Sequence, residues 1–285
     1  MERMGFDRAL ETLTELDRFL NSLGLPIKKD RWHEAATMVR RAKEQREYID
    51  RGGQLKPIDN YVPGLFEALE IHKIIRAFSN DQSQALKSKI SRALCGPISP
   101  LDEQPKNSEA RNAMFELSLA ADWKNGGADV KLGEPDIHVR FGDTTFLVEC
   151  KRPFYAHSVR ANIRTAAQQL ETILATPAHE DSFGVIAVSL NRVFSPGNRI
   201  CCAPEAEGRR TITASLLELI ERNRSAWKFT RFPGRVATVT LHLAAPWEID
   251  KRALVYLSTC KFFPTGRCED AFHTFYNNIT KLYPS

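Results

Sequence analysis

From Phe6 to about Leu94 apolar residues recur at three- and four-residue intervals, in FDRALETLTELDRFLNSL, RWHEAATMVRRAKEQREYID, PGLFEALEIHKIIRAFSN and SQALKSKISRAL. That period predicts helices with one buried face. Breaks fall at Gly24-Leu25-Pro26, at Gly52-Gly53 and at Gly96-Pro97, residue types that interrupt helices. The segment CGPISPLDEQPKN, with its three prolines, reads as a linker. The division this predicts is an α-helical N-terminal region over residues 1–95, a linker over 96–107 and an α/β domain over 108–285.

Beyond Ser108 the period changes. A helix over SEARNAMFELSLAADWKN ends at Gly126-Gly127, and short β-rich runs follow at ADVKL, IHVRF and TTFLVEC. A second helix is expected from about Ser158 to Ala175. FGVIAVSL, residues 183–190, is an apolar run of the kind a strand buried on both faces requires. A helix near Thr211–Asn223, strands at RVATVTLHL and RALVYLSTCKFF and a closing helix near Glu269–Leu282 complete the prediction. The order helix, three strands, helix, strand gives an α/β fold with a mixed sheet that contains a β-hairpin.

The hairpin is the informative element. Gly142-Asp143 between two β-rich runs matches a two-residue turn with glycine first. Phe141 then pairs with Thr144, and counting outward sets Asp136 opposite Glu149. Side-chain alternation assigns Ile137, Val139, Phe141, Phe146, Val148 and Cys150 to one face. Asp136, His138, Arg140, Thr145, Leu147, Glu149 and Lys151 take the other. Opposed residues have Cβ atoms about 5 Å apart, and like charges at that distance destabilise a sheet. A divalent cation shared by the two carboxylates would offset the repulsion, and hard oxygen ligands suit Mg²⁺ or Mn²⁺. Lys151, on the same face, would share in that or orient a water. The local alternative is that Glu149 pairs with Lys151 or Arg140 at a wet strand end.

Pro135-Asp136, twelve residues, then Glu149-Cys150-Lys151 resembles the PD-(D/E)XK nuclease superfamily, with its restriction-endonuclease-like core, over about Ser108 to Leu190. Two other acid-x-Lys triplets occur, Asp122-Trp123-Lys124 and Asp129-Val130-Lys131, but neither ends a strand hairpinned to the Pro-Asp strand. The resemblance implies that Asp136, Glu149 and the main-chain carbonyl of Cys150 bind the metal and that Lys151 positions or activates the attacking water. It implies a further acid from the preceding helix, here Glu116, whose neighbours Ala113 and Ala120 would let that face approach the sheet. The bland reading of Glu116 is a surface helix charge. A glutamine from the second helix is also implied, with Gln169 the better fit and Gln168 its competitor. Arg160 and Arg164, one turn apart, would meet a phosphate backbone with Arg152, or pair locally with residues such as Glu171. The activity implied is metal-dependent hydrolysis of phosphodiesters, of DNA first, leaving 5′-phosphate and 3′-hydroxyl ends. The alternative is a catalytically silent module of the same fold that binds nucleic acid or assembles a complex.

Composition narrows the class without choosing the activity. The 285 residues are 42% hydrophobic and 26% charged, as in globular proteins that bury a core. No apolar run is long enough to span a bilayer, and the acidic, amphipathic start is unlike a signal peptide, so a cytoplasmic protein without a membrane partner is expected. The N-terminal helices would offer a homo-oligomer interface, a DNA-contacting element or a regulatory cap. Six cysteines without a C-x-x-C pair read as reduced thiols, and the seven histidines show no metal-ligand spacing. Residues 191–235 hold nine Lys or Arg against four acids, so the whole net charge of +5 arises there. That excess marks either a polyanion-binding surface or a solvated face spread over several elements.

Overall fold

The computed structural model describes residues 5–26, 31–51, 62–99, 102–194, 201–202, 205–222, 232, 234–249 and 253–282. It is a mixed α/β protein with a helical N-terminal region. The chain folds into two compact units. The first comprises Met1–Met114, Ser195–Arg209 and Ala245–Leu257, and the second Phe115–Phe194, Arg210–Ala244 and Ser258–Ser285.

In the first unit, α1 (Phe6–Ser22), α2 (Arg31–Asp50) and α3 (Val62–Phe78) pack on one another and α4 (Gln84–Ala93) follows. The three- and four-residue spacing becomes a core: Ala9, Leu13, Leu16 and Leu20 of α1 are buried. Ser83 caps α4, its hydroxyl accepting from Leu86 N–H at 3.2 Å. One buried ion pair runs through the bundle. Arg31 donates to Glu67 at 2.6 Å and to the Ala93 carbonyl at 3.2 Å, tying α2 to α3 and α4. Arg111 lies 3.8 Å from Glu67 and 3.9 Å from Glu70, and donates to the Ile98 carbonyl. Ile98 and Glu103, within the proline-rich segment, are buried.

The sheet runs β1 (Asp129–Leu132), β2 (Ile137–Phe141), β3 (Thr144–Lys151), β4 (Ser182–Ser189), β6 (Val236–Ile249), β5 (Cys201–Cys202), with β7 (Ala253–Pro264) also on β6. The β1–β2 and β2–β3 pairs are antiparallel, and β3–β4, β4–β6 and β5–β6 are parallel. α5 (Glu109–Asn125) leads into β1 through Gly127, at φ +98°, a conformation glycine adopts without strain. α6 (Val159–Leu174) connects β3 to β4, α7 (Asn191–Phe194) follows β4, and α8 (Glu205–Arg222) and α9 (Glu269–Leu282) complete the helices.

Helices cover both faces of the sheet in the second unit. A Cβ on Gly184 would lie 3.2 Å from Leu170 and Leu174, so α6 covers the face to which Gly184 and its partner Leu147 point. The opposite face carries Phe146, whose ring is 5.1 Å from that of Phe275 in α9. Phe275 in turn meets Trp123 of α5 edge to face at 5.9 Å. No helix of the described residues is long and apolar enough to cross a membrane.

Candidate metal and phosphate site

The hairpin register is the expected one. Phe141 pairs with Thr144 and the ladder runs out to Ile137 opposite Val148. Gly142, first in the turn, has φ +59°, where a side chain would be strained. Asp136 stands one residue beyond the last ladder pair, after a cis Glu134–Pro135 bond. Its carboxylate accepts from Cys150 N–H at 2.9 Å. That contact draws the end of β2 onto β3 beside Glu149. N–H and C=O of one strand residue project to the same side, so the Cys150 carbonyl faces the β2 side of β3 as its N–H does.

Glu149 lies opposite Ile186 of β4, on the face that α6 covers, and is only 5% exposed. Its carboxylate accepts from Lys151 Nζ at 2.6 Å. This is the local pairing that the sequence left open, but neither partner sits at a wet strand end: their side chains are 7% and 19% exposed. Even so, the Glu149 pKa is raised. Burial is the main cause and the charge of Asp136 the next, and together they outweigh Lys151. Arg140 takes no part, since it pairs with Asp129 across β1 and β2 at 2.9 Å.

The remaining expected residues are distributed more widely. Glu116 is buried rather than on the surface. Its helix runs along the other side of the sheet, because Phe115 meets His242, whose partner Ser189 points as Cys150 does. Among the described residues no three His, Cys, Asp or Glu side chains gather into a metal-binding group, so Glu116 does not join Asp136 and Glu149 in one. Gln168 and Gln169 are both exposed on α6. At 100° per residue Gln169 falls on the flank opposite Arg160 and Arg164. Those two arginines are exposed and Arg152 is half-buried.

The oxygen donors that a cation would find here are two carboxylates, those of Asp136 and Glu149, and the Cys150 carbonyl. All three are hard oxygen ligands, and one belongs to a carboxylate that its surroundings destabilise when charged. These residues fit a small divalent ion. His138, on the same face, donates Nε2–H to the Glu134 carbonyl at 3.0 Å, and burial lowers its pKa. Its ring meets that of His179 edge on at 6.1 Å, a contact the sequence did not indicate.

The basic stretch 191–235 is described in part. Arg199, Arg224, Lys228 and Arg231 lie outside the described residues. Of the others, Arg235 donates to the His179 and Glu180 carbonyls at 2.6 Å. Arg222 pairs with Glu218, and Arg192 lies over the Phe154 ring at 4.3 Å. Cys95, Cys150, Cys260 and Cys268 are free thiols. No protein-family model, no curated protein and no solved structure matches this chain.

Proposed function

We propose that the chain is a metal-dependent nuclease with a restriction-endonuclease-like core, hydrolysing phosphodiester bonds of DNA. The observation that carries this reading is the convergence of Asp136, Glu149 and Lys151 at the adjoining ends of β2 and β3. One carboxylate there is buried, held above its usual pKa and close enough to the other to be disfavoured by its charge. An arrangement that costs stability while ionised is a mark of a functional site.

A bound Mg²⁺ or Mn²⁺ supplies Lewis-acid stabilisation of the scissile phosphate and a water of lowered pKa. Asp136, Glu149 and the Cys150 carbonyl would hold it. Asp136 is already oriented by the Cys150 amide, so it needs little reordering to serve. Lys151 Nζ, 2.6 Å from Glu149, would hold the attacking water by hydrogen bonding and offset negative charge developing on the phosphate. Arg152, Arg160 and Arg164 follow along the chain and would contact flanking phosphates. α6 over Glu149 limits the water around the carboxylate, which strengthens each of these electrostatic contacts.

One observation favours a second reading. Glu149 and Lys151 already form an ion pair within the chain, 2.6 Å apart. A module of the same fold that binds nucleic acid without turnover would keep this pair closed.

Cleavage assays separate the two. The purified protein is incubated with supercoiled, linear and single-stranded DNA and with RNA, in Mg²⁺, Mn²⁺ or EDTA, beside Glu149→Ala and Lys151→Ala. Cleavage should require the divalent ion and fall by about 10²-fold or more in each variant, the scale of losing one electrostatic group from a hydrolytic site. The nuclease reading fails if wild type cuts nothing, or if folded variants cut as fast as wild type.

A further inference from the structure

The segment that follows Lys151 carries an aromatic surface for which the hydrolytic chemistry has no use. Tyr155 is a large ring left 49% exposed, and Phe194, after β4, is 38% exposed. The Tyr155 and His157 rings are stacked, 5.2 Å apart and 9° from parallel, and Phe154 meets Tyr155 at 4.9 Å. The Arg192 guanidinium lies over the Phe154 ring at 4.3 Å, joining the loop after β3 to the short helix after β4. These rings are held in place by the backbone. Ser158 Oγ donates to the Tyr155 carbonyl at 2.8 Å and accepts from its N–H at 3.3 Å, closing the turn before α6.

The position is as informative as the rings. β3 and β4 are parallel, with Lys151 opposite Val188, so both loops leave the same end of the sheet, the end at which Lys151 stands. In open α/β sheets that carboxyl end is where ligands bind. Residues 151–164 contain Lys151, Arg152, Arg160 and Arg164 and no acid. Exposed rings in a run of chain that carries cations and no acid suit a ligand with flat π faces on an anionic backbone. In a duplex the bases stack on each other and present only their edges; an unpaired strand presents its faces.

We propose that Phe154, Tyr155, His157 and Phe194 form a stacking platform for unpaired bases, so that the proposed nuclease site acts on single-stranded or frayed DNA. This rests on the nuclease reading for the identity of the site, but the platform's own chemistry is binding and is measured without turnover. The cations contact the backbone of the strand while its bases lie on Tyr155 and its neighbours. Stacking tolerates any base, so little sequence preference is expected.

Fluorescence anisotropy in EDTA tests this, with labelled oligo(dT), oligo(rU) and a blunt DNA duplex of the same length, on wild type, Tyr155→Ala and Tyr155→Phe. Phe194→Ala provides a second, independent ring. Wild type should bind oligo(dT) more tightly than the duplex. Tyr155→Ala should weaken oligo(dT) binding at least about fivefold, the lower end of measured base–aromatic stacking, and change duplex binding much less. Tyr155→Phe, which keeps the ring, should bind as wild type does. Unchanged oligo(dT) binding in folded Tyr155→Ala and Phe194→Ala overturns the platform, and so does equal weakening on the duplex or no binding of oligo(dT). Tighter binding of oligo(rU) than of oligo(dT) overturns the assignment to DNA. Binding as expected in a protein that cleaves nothing leaves the platform standing and removes the nuclease reading, whereas cleavage with unaltered binding in the ring variants does the reverse.

Discussion

Replacing Lys151 with Met tests whether the site is electrostatically strained, independently of any substrate. The substitution keeps the length of the side chain and removes its charge. Glu149 would remain 5% exposed, beside Asp136, without the ammonium 2.6 Å from its carboxylate. Removing one partner of a fully buried ion pair costs about 3–5 kcal/mol. The Lys151 side chain is 19% exposed, so water replaces part of what is lost, and a cost of about 2–3 kcal/mol is expected at pH 8. The sign of the pH dependence follows from the pKa shift. The folded-state pKa of Glu149 is raised above 4.5, so above that value the native state binds more protons than the unfolded state and stability falls as pH rises. Lys151→Met deepens this fall, and its deficit should shrink toward pH 5 as Glu149 takes up a proton.

The chain divides into two compact units, so a single melting curve would mix their transitions. Native-state hydrogen exchange of peptides from β3 and β4 reads the relevant unit directly. A loss of about 2–3 kcal/mol accelerates exchange through global opening roughly 30- to 150-fold, after correction for intrinsic exchange. In a Glu149→Gln background the same lysine change should cost far less, a coupling of about 2 kcal/mol in the double-mutant cycle. An acceleration below about threefold, or an equal one in both backgrounds, would show that Glu149 is not held against its charge and would remove the physical case for a cation.

Three further outcomes follow from the packing and the donor set. Mn²⁺ at about 100 times its dissociation constant should stabilise wild type by about 2.7 kcal/mol, with a thermal shift lost in Asp136→Asn and Glu149→Gln and reversed by EDTA. Gly184→Ala would bring a Cβ to 3.2 Å from Leu170, Leu174 and Val236; a loss of about 1–3 kcal/mol is expected by hydrogen exchange in β4 and α6, and a gain would mean that α6 has room to move off β4. Arg31→Met would take from Glu67 its partner at 2.6 Å, both side chains being fully buried, and leave Arg111 at 3.8 Å; it should cost about 3 kcal/mol by exchange in α2 and α3, with Arg31→Met/Glu67→Gln recovering much of the loss.

Much of the architecture was legible because local signals agreed with one another. Gly142-Asp143 and the alternation on either side fixed the β2–β3 register, and the closing helix lies where its apolar period placed it. What the sequence hid depends on contacts distant along the chain. Nothing local marks Arg31 as the partner of Glu67, thirty-six positions away, or joins Arg192 to Phe154. The proline-rich segment looked like a connection, yet Ile98 and Glu103 within it are buried. α7 and β5 went unpredicted because four residues and two residues carry no period.

For the candidate site, acid spacing located the residues but not their energetics. The expected opposition of Asp136 and Glu149 became something tighter, an Asp136 beyond the ladder bonded to the Cys150 amide. The signal that would have foretold the environment of Glu149 is Leu147, an apolar residue in the middle of the supposed polar face and fully buried. A leucine there requires cover, and the helix that supplies it, α6, shields Glu149 two residues on. Burial then reverses the meaning of the Glu149–Lys151 pair. On a wet surface it would be a weak local contact. Under α6 it fails to compensate the charge it faces, and Glu149 keeps a raised pKa beside a second carboxylate. The hydrophobic residue, as much as the acids, makes this hairpin a site where a divalent cation would be favoured.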